Sequence, residues 1–266
     1  MKLKKCTAVM TLTLLLTGAS AAVVSAEEKK EDPKPYATAS ASFLSKYIFR
    51  GYELSKDSLV IQPALTAGYR GFEASLWGNL DTNDKYTRAD KINWNETDLT
   101  LSYTHDLGPV KLTGGYIYYA LEGVDDSQEL FLKVAGNMLL SPTLAVYREI
   151  ANYPGWYFNL GIGHSINLTK EITLDLGASV GYQISESDKM VKYNGNLMPT
   201  ADKYQALHDG LISLGLTIPF GKYFAIKPMV AYSLALSDDA KNRIKGTSLS
   251  GNNDFFFGGV TFTATF

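Results

Sequence analysis

The last thirteen residues, Asp254-Phe-Phe-Phe-Gly-Gly-Val-Thr-Phe-Thr-Ala-Thr-Phe266, decide the fold. One face carries Phe256, Val260, Phe262, Ala264 and Phe266, and the other carries Thr261, Thr263 and Thr265. Strict alternation of this kind indicates a β-strand with one apolar and one polar side. A terminal strand that finishes on an aromatic residue is typical of the closing strand of a bacterial outer-membrane barrel. We therefore expect the apolar face to meet lipid and the polar face to meet a lumen. We also expect barrel-assembly machinery to recognise Val260, Phe262, Ala264 and Phe266.

The first 26 residues have the composition of a secretory signal peptide. A basic start, Met1-Lys-Leu-Lys-Lys5, is followed by an apolar run and by Val24-Ser25-Ala26. This order of segments predicts export and cleavage after Ala26. Residues 27–35 are charged and rich in proline, which predicts a short disordered periplasmic leader. The remaining residues, 36–266, are expected to form the barrel in the outer membrane.

Composition excludes several classes of protein. The chain of 266 residues has a net charge of −2, so no basic surface is expected to bind nucleic acid. After the signal peptide, no apolar run approaches the roughly 18 residues of a membrane helix. Abundant aromatic residues and 23 glycines favour strands instead. The only cysteine is Cys6, so the mature chain has no disulfide or thiolate ligand, and we expect neither a cofactor nor a metal site.

About twelve alternating segments follow, joined by connections of two kinds. Tight turns are predicted at 70–71, 106–109, 140–143, 168–171 and 219–222, with mostly longer loops between them. An even number of strands with short turns on one side is the layout of a transmembrane, antiparallel up-and-down β-barrel. A soluble β-sandwich is the alternative, but its edge strands would carry charges or bulges. The first strand is expected over 36–50, and a long polar loop over 82–95.

Several motifs resemble the TorF family of porins. The opening Ser45-Lys-Tyr-Ile-Phe-Arg-Gly-Tyr52 is the most specific, and Gly71-Phe-Glu-Ala-Ser-Leu-Trp-Gly-Asn79 follows it. Later segments around Asn95, Gly115 and Gln128 are similar to that family more loosely. The resemblance covers most of the mature chain. It implies an outer-membrane barrel with a channel role, and it supplies no catalytic or ligand residues.

The inward face of the predicted barrel is the candidate functional site. Bulky polar side chains are expected to line a pore from the first half of the chain: Lys46, Arg50, Glu73, Trp77, Asp81, Glu96, Asp98, Lys111, Tyr119, Glu129, Lys133 and Glu149. The second half contributes small residues, among them Gly161, Gly163, Gly181 and Ser213. The lumen should therefore have a charged wall that faces a smooth wall.

Two interpretations of this lumen stay open. A narrow aqueous pore along the smooth wall would carry small solutes or ions, and the excess of inward carboxylates favours a weak cation preference. Alternatively, the bulky residues fill the lumen, and the barrel is a non-conducting structural or surface-interaction protein. Twelve strands lie between the filled small barrels and the open large ones, so strand number does not decide.

A catalytic site is the third possibility, and strand geometry argues against it. His164 and Ser165 are neighbours in the sequence, and both are residue types that hydrolases use in catalysis. Adjacent strand residues point to opposite faces, so this pair cannot act as base and nucleophile. We expect no catalytic residues and no enzymatic activity.

Overall fold

The structure, a computed structural model, describes residues 34–87 and 91–266. The predicted signal peptide and the leader up to residue 33 lie outside the described residues. The strands are β1 Tyr36–Leu44, β2 Ile48–Phe49, β3 Tyr52–Glu53, β4 Val60–Tyr69, β5 Phe72–Asp84, β6 Lys91–Asp106, β7 Val110–Leu121, β8 Ser127–Gly136, β9 Thr143–Glu149, β10 Gly155–Asn167, β11 Thr173–Ser185, β12 Val191–Tyr193, β13 Pro199–Lys203, β14 Gln205–Phe220, β15 Phe224–Ala235 and β16 Asp254–Thr265, with one helix, α1 Asp238–Thr247.

Twelve of these strands form a closed antiparallel barrel, as the sequence predicts. Each pairs with its neighbours along the chain, and β1 pairs with both β4 and β16 to close the ring. At the closure, the amide of Phe266 donates to the carbonyl of Ala37 at 2.8 Å, and the amide of Ala37 returns a bond to Phe266 at 3.1 Å. Closure leaves no unpaired strand edge, which is the requirement for a sheet that crosses hydrocarbon.

The barrel is apolar outside and polar inside. On β4, Leu65 is 56% exposed on the outer surface while its neighbour Thr66 is 8% exposed on the inner one. On β16, Phe262 is 44% exposed, and Thr261 and Thr263 are buried. This arrangement is the reverse of a soluble protein and fits a barrel surrounded by lipid. Among the described residues, no helix is long and apolar enough to span a membrane.

The two ends of the barrel differ. All five predicted tight turns lie at one end, here called the turn end, and one of them is a two-residue turn with φ of 51° at Arg70 and 87° at Gly71. The predicted loop over 82–95 is wrong, because β5 continues to Asp84 and β6 already begins at Lys91. These longer strands extend the barrel wall at the opposite end, here called the loop end.

The first strand is also shorter than predicted. It ends at Leu44 rather than at Arg50, and residues 45–59 turn into the lumen as a segment of their own. Within it, β2 and β3 pair around Arg50 and Gly51, whose φ angles are 47° and 79°. Positive φ at both turn positions is the geometry of a tight hairpin. Phe49 therefore lies inside the barrel and not in an outer aromatic belt.

The outward position of Leu214 gives a test of the barrel's sidedness. It is 45% exposed near the middle of β14, whereas its neighbour Ser213 faces the lumen. Leu214→Arg should lower the free energy of unfolding by about 2–4 kcal/mol, because it places a charge in hydrocarbon. Ser213→Arg is the control and should cost much less. Reversible denaturant unfolding in lipid vesicles measures both, and equal losses would contradict the assigned faces.

Candidate functional site

Residues 45–59, which we call the lumenal hairpin, cross the lumen in the half of the barrel nearest the loop end. Six of its side chains are at least nine-tenths buried, namely Tyr47, Ile48, Arg50, Glu53, Ser55 and Ser58. They contact inward side chains from strands on every side of the barrel, from Trp77 of β5 to Phe257 of β16. The hairpin therefore occupies the lumen, where the sequence predicted wall residues only.

Arg50 at the tip of the lumenal hairpin reaches across to β8. Its two terminal nitrogens donate to the two carboxylate oxygens of Glu129 at 2.7 and 2.8 Å. The hydroxyl of Tyr119 donates a further bond to Glu129 at 2.8 Å. The guanidinium carbon lies 4.8, 4.7 and 4.3 Å from the ring centroids of Phe49, Tyr147 and Tyr157. A bidentate pair enclosed by aromatic rings combines the strongest contacts available to an arginine.

Apolar contacts hold the two flanks of the lumenal hairpin. On one flank, Ile48 packs in a buried cluster with Phe255 and Phe257 of β16 and Ile244 of α1. On the other flank, Tyr47 packs with its ring centroid 5.6 Å from that of Trp77. Inward phenylalanines on β16 are unusual in an otherwise polar lumen. Their partner is the hairpin, so the strand pattern alone does not explain them.

Glu53 joins the hairpin to the loop that contains α1. Its carboxylate accepts hydrogen bonds from Lys46 Nζ at 3.1 Å, from Ser248 Oγ at 2.7 Å and from the Ser250 amide at 3.0 Å. Burial alone would raise the pKa of Glu53, but the bonds from Ser250 and Ser248 outweigh it and hold the pKa below its ordinary value. The ionised carboxylate of Glu53 therefore helps to hold the lumenal hairpin against the loop that contains α1.

The predicted smooth wall makes room for side chains from elsewhere. A Cβ atom at Gly181 would lie 2.4 Å from the hydroxyl of Tyr157 and 2.2 Å from a carboxylate oxygen of Asp209. In the structure, Tyr157 donates a hydrogen bond to Asp209 at 2.9 Å in this space. Asp209 and its neighbour His208, both buried beside the hairpin, are site residues that the sequence interpretation missed. The bulge between β11 and β14 disturbs the alternation there.

The predicted pore-lining residues fall into three groups. Lys46 and Arg50 belong to the lumenal hairpin and not to the wall. Buried wall positions near it are held by Trp77, Asp81, Glu96, Asp98, Tyr119 and Glu129. The others lie toward the two ends: Glu73, Lys111, Lys133 and Glu149. The structure thus brings the first two groups together, and Glu149 joins them because it lies directly opposite Glu129 across β8 and β9. Glu73, Lys111 and Lys133 lie apart from them, toward the turn end.

The third group has local partners. Glu73 accepts a hydrogen bond from the hydroxyl of Tyr36 at 2.5 Å. Lys111 is exposed beside Asp106 at the turn end, with 4.0 Å between the charged atoms. Glu149 accepts bonds from the amides of Ala151, Asn152 and Tyr153, so it organises the turn after β9.

Small hydroxyl side chains cover the inner wall toward the turn end. They pair across neighbouring strands, with Thr66 and Ser75 joined at 2.8 Å and Thr104 and Thr113 at 2.9 Å. Ser165 donates to Asp175 at 2.7 Å, and its neighbour His164 is exposed on the outer surface. The prediction that His164 and Ser165 point to opposite faces is confirmed.

Comparison with known proteins shows the class of fold. No protein-family model and no curated protein match the sequence. Among solved structures, the chain is similar to the KdgM porin, with a TM-score of 0.52, 13% identity and coverage of 86% of this chain and 99% of that one. The NanC porin matches with a TM-score of 0.51 and 9% identity, and the match covers 86% of this chain and 98% of that one. An outer membrane channel from Pseudomonas putida F1 matches with a TM-score of 0.51 and 11% identity, and the match covers 90% of this chain and 97% of that one.

These likenesses cover nearly the whole length of each porin or channel at low sequence identity. The fold is therefore that of outer-membrane porin barrels. The resemblance to the TorF family stays a prediction from the motifs of the sequence.

The lowered pKa of Glu53 predicts how the lumenal hairpin responds to acid. The ionised Glu53 carboxylate should stabilise the hairpin in the lumen fully above about pH 4.3, the ordinary pKa of glutamate. This stabilisation should be lost as the pH falls through the lower pKa that Glu53 has in the folded state. Fluorescence of Trp77, in a Trp94→Phe/Trp156→Phe background, should report the loosening of its contact with Tyr47. Glu53→Gln should abolish this transition, and an unchanged transition in that variant would assign it to another group.

Proposed function

We propose that this protein is a porin-like channel of the bacterial outer membrane, through which small solutes or ions diffuse passively with a weak preference for cations. The observation that carries the proposal is the inverted barrel, which is apolar outside and has a largely polar inner wall, with its inward apolar side chains concentrated around the lumenal hairpin. Hydroxyl pairs such as Thr104–Thr113 give the turn end a hydrophilic lining of small side chains. Such a surface holds water and passes polar solutes. The porin and channel folds described above support the same proposal.

Unbalanced carboxylates favour cations. Glu96 and Asp98 are both more than nine-tenths buried on the inner wall of β6, and Asp98 Oδ1 has no hydrogen-bond partner. Within the described residues, no lysine or arginine forms an ion pair with either carboxylate. Arg50, which lies in the same half of the lumen, is paired with Glu129. Fixed negative charge in a narrow lumen raises the local concentration of cations.

The lumenal hairpin favours a second candidate function. If residues 45–59 stay in place permanently, the barrel conducts nothing, and the protein acts through its long loops as a structural or surface-interaction barrel. Contacts on every side of the lumen give this alternative a concrete basis. Conductance of the intact protein separates the two functions.

Single-channel recording in a planar bilayer under a salt gradient tests the channel and its selectivity together. The protein isolated from outer membranes should give discrete current steps with a cation-biased reversal potential. Glu96→Gln/Asp98→Asn should move that potential toward zero, because it removes the two carboxyl groups that ionise once water reaches them in the conducting lumen. Asp188→Asn, at a 95% exposed loop carboxylate, is the matched control and should leave it unchanged. An anion bias in the unaltered protein would refute the preference for cations.

The environment of the barrel follows from its surface. The apolar outer face is proposed to contact outer-membrane lipid, and the long loops to contact lipopolysaccharide. The chain is proposed to reach this membrane through a cleaved signal peptide and to be inserted by barrel-assembly machinery. Val260, Phe262, Ala264 and Phe266 present the terminal apolar face that the machinery would recognise.

Removal of the terminal aromatic side chain tests this route. Phe266→Ala should reduce the amount of folded barrel in the outer membrane, because the terminal recognition feature is lost. The Phe266 ring also stacks on Tyr223, with 5.7 Å between the centroids. Tyr223→Ala removes that stacking without changing the terminus, so it serves as the control. Heat-modifiable mobility on gels measures folded barrel, and equal yields for both variants would count against recognition of Phe266.

A further inference from the structure

We infer that the lumenal hairpin is a movable gate of the channel, latched by the ion pair between Arg50 and Glu129. The inference rests on the proposed function, since a gate needs a conducting barrel. It assigns a role to the most specific motif of the sequence, Ser45–Tyr52, which no strand of the barrel uses. Four properties of the hairpin carry it: independent backbone bonding, flexible attachment, exchangeable contacts and a suitable position.

Much of the hairpin's backbone is hydrogen-bonded within the segment, although the Glu53 carbonyl also accepts a bond from the hydroxyl of Tyr86 at 2.6 Å. Ile48 pairs with Glu53 and Phe49 with Tyr52, and the Leu54 amide donates to the Tyr47 carbonyl at 2.8 Å. The Tyr47 amide donates a hydrogen bond to Ser55 Oγ at 2.7 Å, inside the same segment. The strand ladders of the barrel run between other residues. The hairpin can therefore leave the lumen as a unit without breaking the ladders that close the barrel.

Its attachments to the barrel are suited to such a movement. The hairpin follows β1 at Ser45, whose amide donates to the Gly258 carbonyl at 2.9 Å. At the other end, a short connection leads to β4, with Asp57 at a φ of 52°. These two junctions lie side by side on adjacent strands, because Leu44 pairs with Val60. Two neighbouring junctions define a hinge at the wall of the barrel.

The contacts that hold the hairpin inside are those that water can replace. Arg50 and Glu129 form a buried ion pair, and separated ions regain hydration when both are released together. Tyr52 hydrogen-bonds Gln183 at 3.2 Å, and Glu53 is bound by hydroxyl and amide groups of 248–250. The apolar part is confined to small clusters around Ile48 and Tyr47. The gate therefore requires that water regained by these groups offset the lost contacts closely enough for the open state to be populated.

The position of the hairpin makes its movement decisive for conduction. It lies in the loop half of the barrel beside Asp98 and Trp77, whereas the hydroxyl-lined part lies toward the turn end. Withdrawal of the hairpin would join the two regions into one polar passage and expose the carboxylates of Glu96 and Asp98 to it. The gate would then control both the conductance and the selectivity of the channel.

A reversible tether tests the gate in the presence of the intact latch. A Cβ atom built at Gly51 lies 2.8 Å from the Cβ atom of Asp209, closer than the roughly 3.5–4.5 Å of a disulfide, so Gly51→Cys/Asp209→Cys requires the tip to move outward by about 1 Å and to hold a cysteine at a φ of 79°. No other cysteine follows Cys6. In planar bilayers, the unaltered protein should open transiently, the oxidised variant should show no openings, and reduction of the same sample should restore them. Openings that persist in the oxidised variant would overturn the gate.

Weakening the latch provides a second test that needs no disulfide. Arg50→Lys keeps the positive charge but loses the two-pronged contact with Glu129 and the stacking on Tyr147 and Tyr157. The open probability should rise by at least about tenfold, because lysine does not reproduce bidentate or stacked contacts. Lys189→Arg, at an exposed loop ion pair, is the control and should change nothing. An unchanged open probability in Arg50→Lys would count against the latch.

Replacement of residues 46–54 by a short glycine linker separates failure of the gate from failure of the channel. If the unaltered protein never opens but the folded shortened barrel conducts, the hairpin is a fixed plug and the gate is refuted. If the folded shortened barrel does not conduct either, the proposed channel function fails, and the gate fails with it.

Discussion

The structure depends on the need to satisfy every backbone amide and carbonyl of a sheet surrounded by hydrocarbon. The pairing of Phe266 with Ala37 meets that need at the last open edge, and it turns twelve strands into a ring. Once the ring is closed, alternate residues of each strand must face lipid or lumen. The apolar outer surface and the polar interior follow directly from this parity. So does the separation of His164 from Ser165.

Closure creates an interior that the wall residues do not fill by themselves. Wall glycines such as Gly181 leave space, and a segment from the loop end occupies the neighbouring region. Burying Arg50 there requires a full set of partners, which Glu129 and three aromatic rings provide. The charged wall and the smooth wall thus act together as a receptor for the hairpin. A lumen so organised would link the proposed channel function to the position of one short segment.

The two ends of the lumen differ in the charge of the side chains that line them. Hydroxyl groups and a few balanced charges line the turn end, where Lys227 lies 3.9 Å from Asp175. Carboxylates dominate the loop end, and Arg50 is occupied there by Glu129. A solute that crosses the barrel would therefore meet a neutral region and an acidic one in series. The hairpin lies in the acidic region, where a change in its position alters both the width and the field of the passage.

The sequence by itself determined the barrel, its strand number, the tight turns and the face of most wall residues. These features follow from alternation with a period of two and from local turn chemistry, which neighbouring residues encode. Asp81, Glu96 and Asp98 could thus be placed on the inner wall. Only the tertiary structure decided where residues 45–59 go, because the alternation of Tyr47 and Phe49 continues that of β1. Their inward course depends on Glu129, Phe255 and Phe257, which are distant in sequence, and such contacts leave no local period to read.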